Sequence, residues 1–87
     1  MVGQLRIYTI NKGMAESWLK LFHEVIAPKT LEFGMGIQSA WMDEEKERFI
    51  WIRTYESLED IKVKEDAFYG SDWWKENMPT VRGHLAR

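Results

Sequence analysis

The sequence contains no cysteine and only two histidines in 87 residues. Without thiols the chain can form neither a disulfide nor a cysteine-based zinc site. No apolar run reaches the roughly 18 residues that a membrane-spanning helix needs, and residues 1–4 lack the basic and apolar regions of a signal peptide. We therefore expect a cytoplasmic protein with no membrane span and no metal site.

An excess of basic residues is also missing. The 12 lysines and arginines face 14 acidic residues, for a net charge of −2. Nucleic-acid binding usually requires a basic patch. RNA-binding plaits carry a glycine beside the aromatic residues of their central strands, and the aromatic segment 48–55 contains no glycine. We expect no nucleic-acid partner.

Aromatic residues are abundant for a chain of this size. Five tryptophans, four phenylalanines and three tyrosines make up 14% of the residues. A chain of 87 residues corresponds to a single domain, residues 1–87. Because each aromatic side chain covers roughly 150–250 Å² when buried, a small domain rarely encloses so many, and an exposed remainder indicates a partner surface.

Periodicity and turn residues divide the chain into β-α-β-β-α followed by a short C-terminal segment. Strands are predicted at residues 4–10, 37–42 and 48–55, with a charged hairpin tip at 43–47. An amphipathic helix begins near Met14 and is expected to kink or break at Pro28. Ser57 caps a second helix that ends at Gly70, and Ser71 caps a short helical turn before a break at Pro79.

This order predicts an α+β fold, the ferredoxin-like plait with an antiparallel sheet. The plait has a fourth strand, for which residues 81–87 are the only candidate. Gly83 interrupts that segment, so we expect a helical tail with the fourth strand short or missing.

The strand faces suggest how the sheet is covered. Leu5 and Ile7 share one face of the first strand, and Ile50 and Ile52 share one face of the third. We expect these aliphatic faces to contact the helices. The opposite, aromatic face would then form the interface of a homodimer; its candidate residues are Phe49, Trp51 and Tyr55. Alternatively, these rings cover the far side of a monomeric sheet.

Two arginines accompany the aromatic face. Arg6 and Arg53 are expected beside the rings of Tyr8, Trp51 and Tyr55, where two guanidinium groups can hold a carboxylate or phenolate ligand. The structural alternative is that they pair with carboxylates or stack on the rings.

The two histidines are weaker candidates. His23, on the first helix, is a proton-shuttle candidate or a residue at the helix margin. His84 has no serine or aspartate partner at a recognisable spacing, so the sequence supports no catalytic triad.

The chain resembles NIPSNAP-like proteins of the dimeric α+β barrel superfamily. The resemblance spans nearly the whole chain and rests on an ordered set of short segments: Leu5-Arg6-Ile7-Tyr8-Thr9, Lys12-Gly13-Met14, Phe22, Ile26-Ala27-Pro28, Gly36, Ala40-Trp41, Phe49-Ile50-Trp51-Ile52-Arg53, Tyr55-Glu56-Ser57, Trp73-Trp74 and Pro79. It implies a plait whose sheets meet face to face in a dimer. Similar proteins continue past a segment like residues 84–86 into a final strand.

The resemblance implies no settled chemistry. The superfamily includes cofactor-free monooxygenases, haem-degrading enzymes and lactone isomerases that act in a pocket between helices and sheet. Two hypotheses follow: a homodimeric protein that binds a small apolar or anionic ligand without a cofactor, or a cofactor-independent monooxygenase or isomerase of aromatic molecules. A cavity beneath Trp18, Phe22 and Trp51 would distinguish a ligand site from an assembly module, which would fill that space with side chains.

Overall fold

A computed structural model describes residues 1–86, which form a three-stranded antiparallel sheet with helices on one face. The elements are β1 (Val2–Thr9), α1 (Ala15–Leu21), a π-helical turn (Phe22–Ile26), α2 (Ala27–Glu32), β2 (Gly36–Met42), β3 (Arg48–Tyr55), α3 (Leu58–Tyr69) and α4 (Asp72–Gly83). The strand order β1-β3-β2 with antiparallel pairing throughout is that of a ferredoxin-like plait without its fourth strand. The predicted α+β fold is confirmed.

The first helical segment is continuous from α1 through α2, and the break predicted at Pro28 does not occur. The segment instead widens into the π-helical turn just before the proline. Pro28 is the second residue of α2 and follows the π-helical turn directly, at the irregular point of the segment where the missing N–H of a proline is accommodated. The side chains of Trp18 before the turn and of Phe22 and Ile26 within it are buried in one core cluster.

In the second half of the chain both predicted serine caps are present, whereas the last helix differs from its predicted length. Ser57 Oγ accepts a hydrogen bond from the Asp60 N–H at 3.2 Å, and Ser71 Oγ accepts one from the Trp74 N–H at 3.1 Å. α4 is longer than the short turn expected, because it continues through Pro79. Trp74 and Val81 contact the core before and after the proline, and this packing outweighs the lost backbone bond.

The residues after α4 make only the beginning of a fourth strand. The Asn11 N–H donates to the His84 carbonyl, and the Ala86 N–H donates to the Thr9 carbonyl, both at 2.8 Å. A single antiparallel bridge joins Ile10 to Leu85. Within residues 1–86 the C-terminal segment therefore pairs with only one end of the β1 edge. This agrees with the prediction that the fourth strand is short or missing.

The face that contacts the helices is the aromatic one, and our prediction of the reverse is wrong. Phe49, Trp51 and Tyr55 are all buried against helices of their own chain, whereas Leu5 and Ile7 are 61% and 56% exposed. Aromatic rings remove more apolar area from water at each position than aliphatic side chains do, so they take the covered side. The three residues proposed for a dimer interface thus belong to the core of one chain.

No helix within residues 1–86 combines the length and the apolar character needed to cross a membrane.

Gly36 offers a test of the β2–β3 register. It lies opposite Thr54, and a Cβ at this position would collide with the Thr54 hydroxyl. Because the β-branched threonine is stiff at χ1, we expect Gly36→Ala to lower the free energy of unfolding by about 1–3 kcal/mol in urea denaturation. In the background of Thr54→Ala the same change should cost clearly less. An equal cost in both backgrounds would contradict the register.

Candidate functional site

A cavity of about 410 Å³ lies between the covered face of the sheet and the helices. Its apolar wall is mainly aromatic, and three arginines lie along it. The aromatic residues are Tyr8, Trp18, Trp51, Phe68, Tyr69, Trp73 and Trp74, and the arginines are Arg6, Arg53 and Arg82. The space beneath Trp18 and Trp51 is therefore not filled by side chains, as the ligand-site hypothesis requires.

Gln4 organises the two arginines that lie on the sheet. Its Oε1 accepts hydrogen bonds from Arg6 Nη1 at 3.2 Å, from Arg53 Nη2 at 3.1 Å and from the Tyr55 hydroxyl at 3.2 Å. Gln4 and Arg53 are directly opposite each other on β1 and β3, and Arg6 is two residues further along β1. The side-chain alternation of paired strands thus brings all of them to one face, as predicted for the two arginines.

The two arginines differ in how completely they are paired. Arg53 is only 1% exposed, and its guanidinium donates to Gln4 and to the Tyr69 hydroxyl and lies 3.6 Å from a Glu65 carboxylate oxygen. Arg6 donates to Gln4 and, at 2.7 Å, to the Tyr8 hydroxyl, and forms no ion pair within residues 1–86. A guanidinium carries five N–H donors, so Arg6 keeps donors and charge for a ligand.

Electrostatics at this end of the cavity favour an anion. Of the two guanidinium groups, Arg53 has the Glu65 carboxylate within 4 Å and Arg6 has none within residues 1–86. Glu65 also accepts from Gln4 Nε2 at 3.0 Å. Glu65 is outside the wall of the cavity, whereas Arg6 and Arg53 are part of it. The polar end of the cavity therefore carries a net positive charge.

Two indole groups beside the cavity carry buried N–H donors without a partner. The Nε1 atoms of Trp18 and Trp51 are both inaccessible to solvent and have no hydrogen-bond acceptor within residues 1–86. Both tryptophans belong to the wall of the cavity. Buried N–H groups without a partner are rare in native proteins. Since neither nitrogen has accessible surface, neither faces the open space of the cavity.

Not every candidate residue reaches the cavity. Arg6, Tyr8, Trp51 and Arg53 belong to its wall. Tyr55 lies behind it, where burial raises the pKa of the phenol although the Arg53 charge acts in the opposite direction. The protonated phenol donates to Gln4 and supports the arginine network.

His23 is exposed on the π-helical turn, with its ring 5.7 Å from that of Phe22. It is not part of the wall of the cavity, and its ligand-binding or proton-shuttle role stays a prediction. The helical period directs Phe22 inwards and its neighbour outwards.

Comparisons with solved structures relate this architecture to known proteins. An uncharacterized NIPSNAP domain protein from Burkholderia xenovorans superposes with a TM-score of 0.88 at 13% identity, over 100% of this chain and 86% of its own. A NIPSNAP family protein from Agrobacterium tumefaciens gives 0.84 at 22% identity, over 98% and 76%. The fold is that of NIPSNAP proteins. A further Agrobacterium tumefaciens protein gives 0.86 at 19% identity, over 100% and 86%.

The NIPSNAP resemblance read from the sequence is thus confirmed in the fold. At the sequence level the chain matches no protein-family model and no curated protein. The residues of the cavity must therefore be interpreted from their own geometry.

The NIPSNAP fold also brings together a serine and a histidine that the sequence left apart. Ser17 Oγ lies 2.7 Å from His84 Nε2, and His84 Nδ1 lies 2.8 Å from the Thr80 carbonyl oxygen. A carbonyl accepts only, so Nδ1 carries the proton and Nε2 accepts from the serine hydroxyl. The third partner is a backbone carbonyl within α4, and neither Ser17 nor His84 belongs to the wall of the cavity. The pair ties the end of α4 to α1.

Sequence reasoning missed the residues that complete the site. Gln4, Glu65 and Tyr69 carry no signal of their own, because their importance comes from the pairing of β1 with β3 and from the position of α3. Trp18 was named only as a residue above a possible cavity. Within residues 1–86, no cluster of three or more histidine, aspartate or glutamate side chains is arranged to hold a metal ion.

Gln4 provides a test of the arginine network. Gln4→Leu removes the acceptor that Arg6, Arg53 and Tyr55 share. We expect it to lower the free energy of unfolding by about 1–3 kcal/mol, because buried donors lose their partner. Gln38→Leu on the exposed side of β2 is the control, with an expected change within about 0.5 kcal/mol. Similar urea midpoints for the two variants would contradict the role of Gln4.

Proposed function

We propose that this chain is a NIPSNAP-like protein that binds a small anionic molecule with an aromatic or apolar body in the cavity. The observation that carries the proposal is Arg6, a guanidinium on the wall of an aromatic cavity without a carboxylate partner within residues 1–86.

The arrangement of Arg6 favours an anion over a neutral molecule. Its side chain is held by Gln4 and Tyr8, so little conformational entropy remains to be lost when a ligand binds. Charge-assisted hydrogen bonds from a guanidinium to a carboxylate are stronger than neutral ones. Arg53 adds positive charge behind this position, although its own donors are largely used within the chain.

The body of the ligand is selected by the aromatic wall. Tyr8 lies edge-on to Trp18 and to Trp51, with ring centroids 5.8 and 6.3 Å apart. On the opposite side, Tyr69 and Trp74 form a further edge-on pair at 5.0 Å. Flat apolar groups bind favourably between such rings, and the volume of about 410 Å³ is within the range of small-molecule sites.

Binding is better supported than the alternative, a cofactor-independent monooxygenase or isomerase of aromatic molecules. Proton abstraction requires a base within hydrogen-bond reach of the substrate. Within residues 1–86 the wall of the cavity contains no imidazole or carboxylate, whereas the groups that binding requires are present. Within residues 1–86, the wall of the cavity therefore offers no imidazole or carboxylate as the catalytic base.

The proposal includes a homodimer, formed through the other face of the sheet. Ile7 of β1, Ile50 of β3 and Trp41 of β2 lie directly opposite one another in one row, and Leu5 and Ile52 form a second pair beside it. Ile7 and Leu5 are more than half exposed. A contiguous apolar patch on one sheet face suits a two-fold contact with a second copy, in which the same rows meet.

The anion site can be tested with 2-naphthoate as a probe, followed by quenching of tryptophan fluorescence. We expect saturable binding that weakens by at least about tenfold in Arg6→Gln, because a charged hydrogen bond is lost. Arg48→Gln, which removes the same charge from an exposed position, should bind as the wild type does. Equal affinities of the two variants, or no saturable binding to the wild type, would reject the proposal.

The dimer can be tested by sedimentation velocity at micromolar concentration. We expect a species of twice 10.4 kDa, which Ile7→Glu converts to a folded monomer because a charge on the patch would be buried without a partner. Val63→Glu, on the exposed surface of α3, should remain a dimer. A monomeric wild type, or a dimer that tolerates Ile7→Glu, would contradict this interface.

A further inference from the structure

We infer that Ser17 is a nucleophilic serine with His84 as its general base, and that it accepts acyl groups from small activated esters. The site goes beyond the proposed binding function and is independent of it, because neither residue belongs to the wall of the cavity. The observation behind the inference is a short contact between a hydroxyl and an imidazole whose tautomer is fixed by a third group.

The contact between the hydroxyl and the imidazole has the geometry that proton transfer requires. Ser17 Oγ lies 2.7 Å from His84 Nε2, within the roughly 2.6–3.2 Å at which a base removes the proton of a nucleophile. The two residues are 67 positions apart in the chain. The pair therefore exists only in the folded protein, where the end of α4 meets α1.

The tautomer of His84 suits the role of a base. Its Nδ1 lies 2.8 Å from the Thr80 carbonyl oxygen, which can only accept, so Nδ1 carries the proton and Nε2 is the basic atom. In serine–histidine pairs that act on substrates, a third group holds the imidazole in this tautomer and orientation. Here the third group is a backbone carbonyl of α4, which the helix holds in place.

The two residues differ in exposure, as a nucleophile and its base should. Ser17 is an exposed residue of α1, so a reagent has access to it from solvent. His84 is only 8% exposed, and its ring lies beside that of Trp18 with the centroids 6.1 Å apart. A substrate therefore approaches from the side of the serine, while the imidazole is held among protein atoms.

The backbone around His84 is fixed from two sides. The Asn11 N–H donates to the His84 carbonyl at 2.8 Å, and Asn11 Nδ2 donates to the Gly83 carbonyl at 3.0 Å. The His84 N–H donates to the Val81 carbonyl at 3.1 Å. These bonds join the end of α4 to the segment after β1, so the base is positioned before a substrate arrives.

The pair supplies the groups for a complete acyl transfer. Ser17 Oγ attacks the carbonyl carbon of an aryl ester while His84 Nε2 takes the hydroxyl proton, and the imidazolium returns this proton to the departing aryl oxide. A water molecule then attacks the acyl-serine with the same base, so the products are a carboxylic acid and a phenol. Because the cavity does not hold the substrate at this site, we expect esters of acidic phenols to react fastest.

Labelling of the folded wild type with a fluorophosphonate tests the nucleophile directly. The probe forms a bond from Ser17 Oγ to phosphorus, fluoride leaves, and the hydroxyl proton passes through His84 to water. We expect peptide mass spectrometry to find the label on Ser17 and not on the other three serines, which have no imidazole partner within residues 1–86: Ser39, Ser57 and Ser71. No label on Ser17, or equal labelling of several serines, would overturn the inference.

Variants separate reactivity from a purely structural hydrogen bond. The amide of His84→Gln can still accept from Ser17 and donate to the Thr80 carbonyl, but it is not a base. We expect it to lower the rate constant of labelling at least about hundredfold, whereas a structural bond between α1 and α4 would leave that rate unchanged. Ser39→Ala is the matched control and should be labelled as the wild type is.

The outcome does not depend on the cavity or on any one variant. Ser17→Ala should carry no label, and a folded His84→Gln protein that is labelled at the wild-type rate would overturn the role of the base. If His84→Gln unfolds, the mapping of the label on the wild type still decides whether Ser17 is the nucleophile. None of these changes alters the wall of the cavity, so loss of 2-naphthoate binding and loss of labelling are separate results.

Discussion

The contact between the first helical segment and the aromatic face of the sheet is the interaction on which the rest of the structure depends. Phe22 is 4.6 Å from Phe49 and 5.0 Å from Trp51 between ring centroids, and Trp18 is 5.6 Å from Phe49. These four rings are all buried. A chain of 87 residues without a disulfide has few other sources of stability, so this cluster determines which side of the sheet is covered.

That choice has consequences for the polar groups on the covered face. Because side chains alternate along a strand, Arg6 and Arg53 lie on the same face as the rings, where Arg53 is buried and Arg6 is partly buried. Gln4, Glu65 and the tyrosine hydroxyls contact these two guanidinium groups. The rings also do not fill the space completely, so a cavity remains with donors on its wall. The stabilising cluster and the proposed ligand site are thus two aspects of one packing arrangement.

Because the helices cover the aromatic face of the sheet, the aliphatic face is exposed. Our sequence-based reasoning found both faces but assigned them in reverse, because alternation defines two faces without saying which one the helices cover. It also predicted a kink or break at Pro28 and a break at Pro79, where the structure has a π-helical turn just before Pro28 and a continuous helix through Pro79. At Pro79, apolar side chains on either side of the proline hold the helix in place, and local propensity does not include such packing.

The sequence by itself determined the order of the elements, the strand at residues 48–55, the serine caps of α3 and α4, and the pairing of Arg6 and Arg53 on one face. All of these follow from short-range periodicity and backbone hydrogen bonding. The tertiary structure alone decided which face is buried, that Gln4 joins the two arginines, and that Trp18 and Trp51 lack acceptors beside a cavity. These features depend on contacts between residues far apart in the chain, such as Gln4 and Glu65, which are 61 positions apart. The geometry of such contacts is fixed only when the helices pack on the sheet.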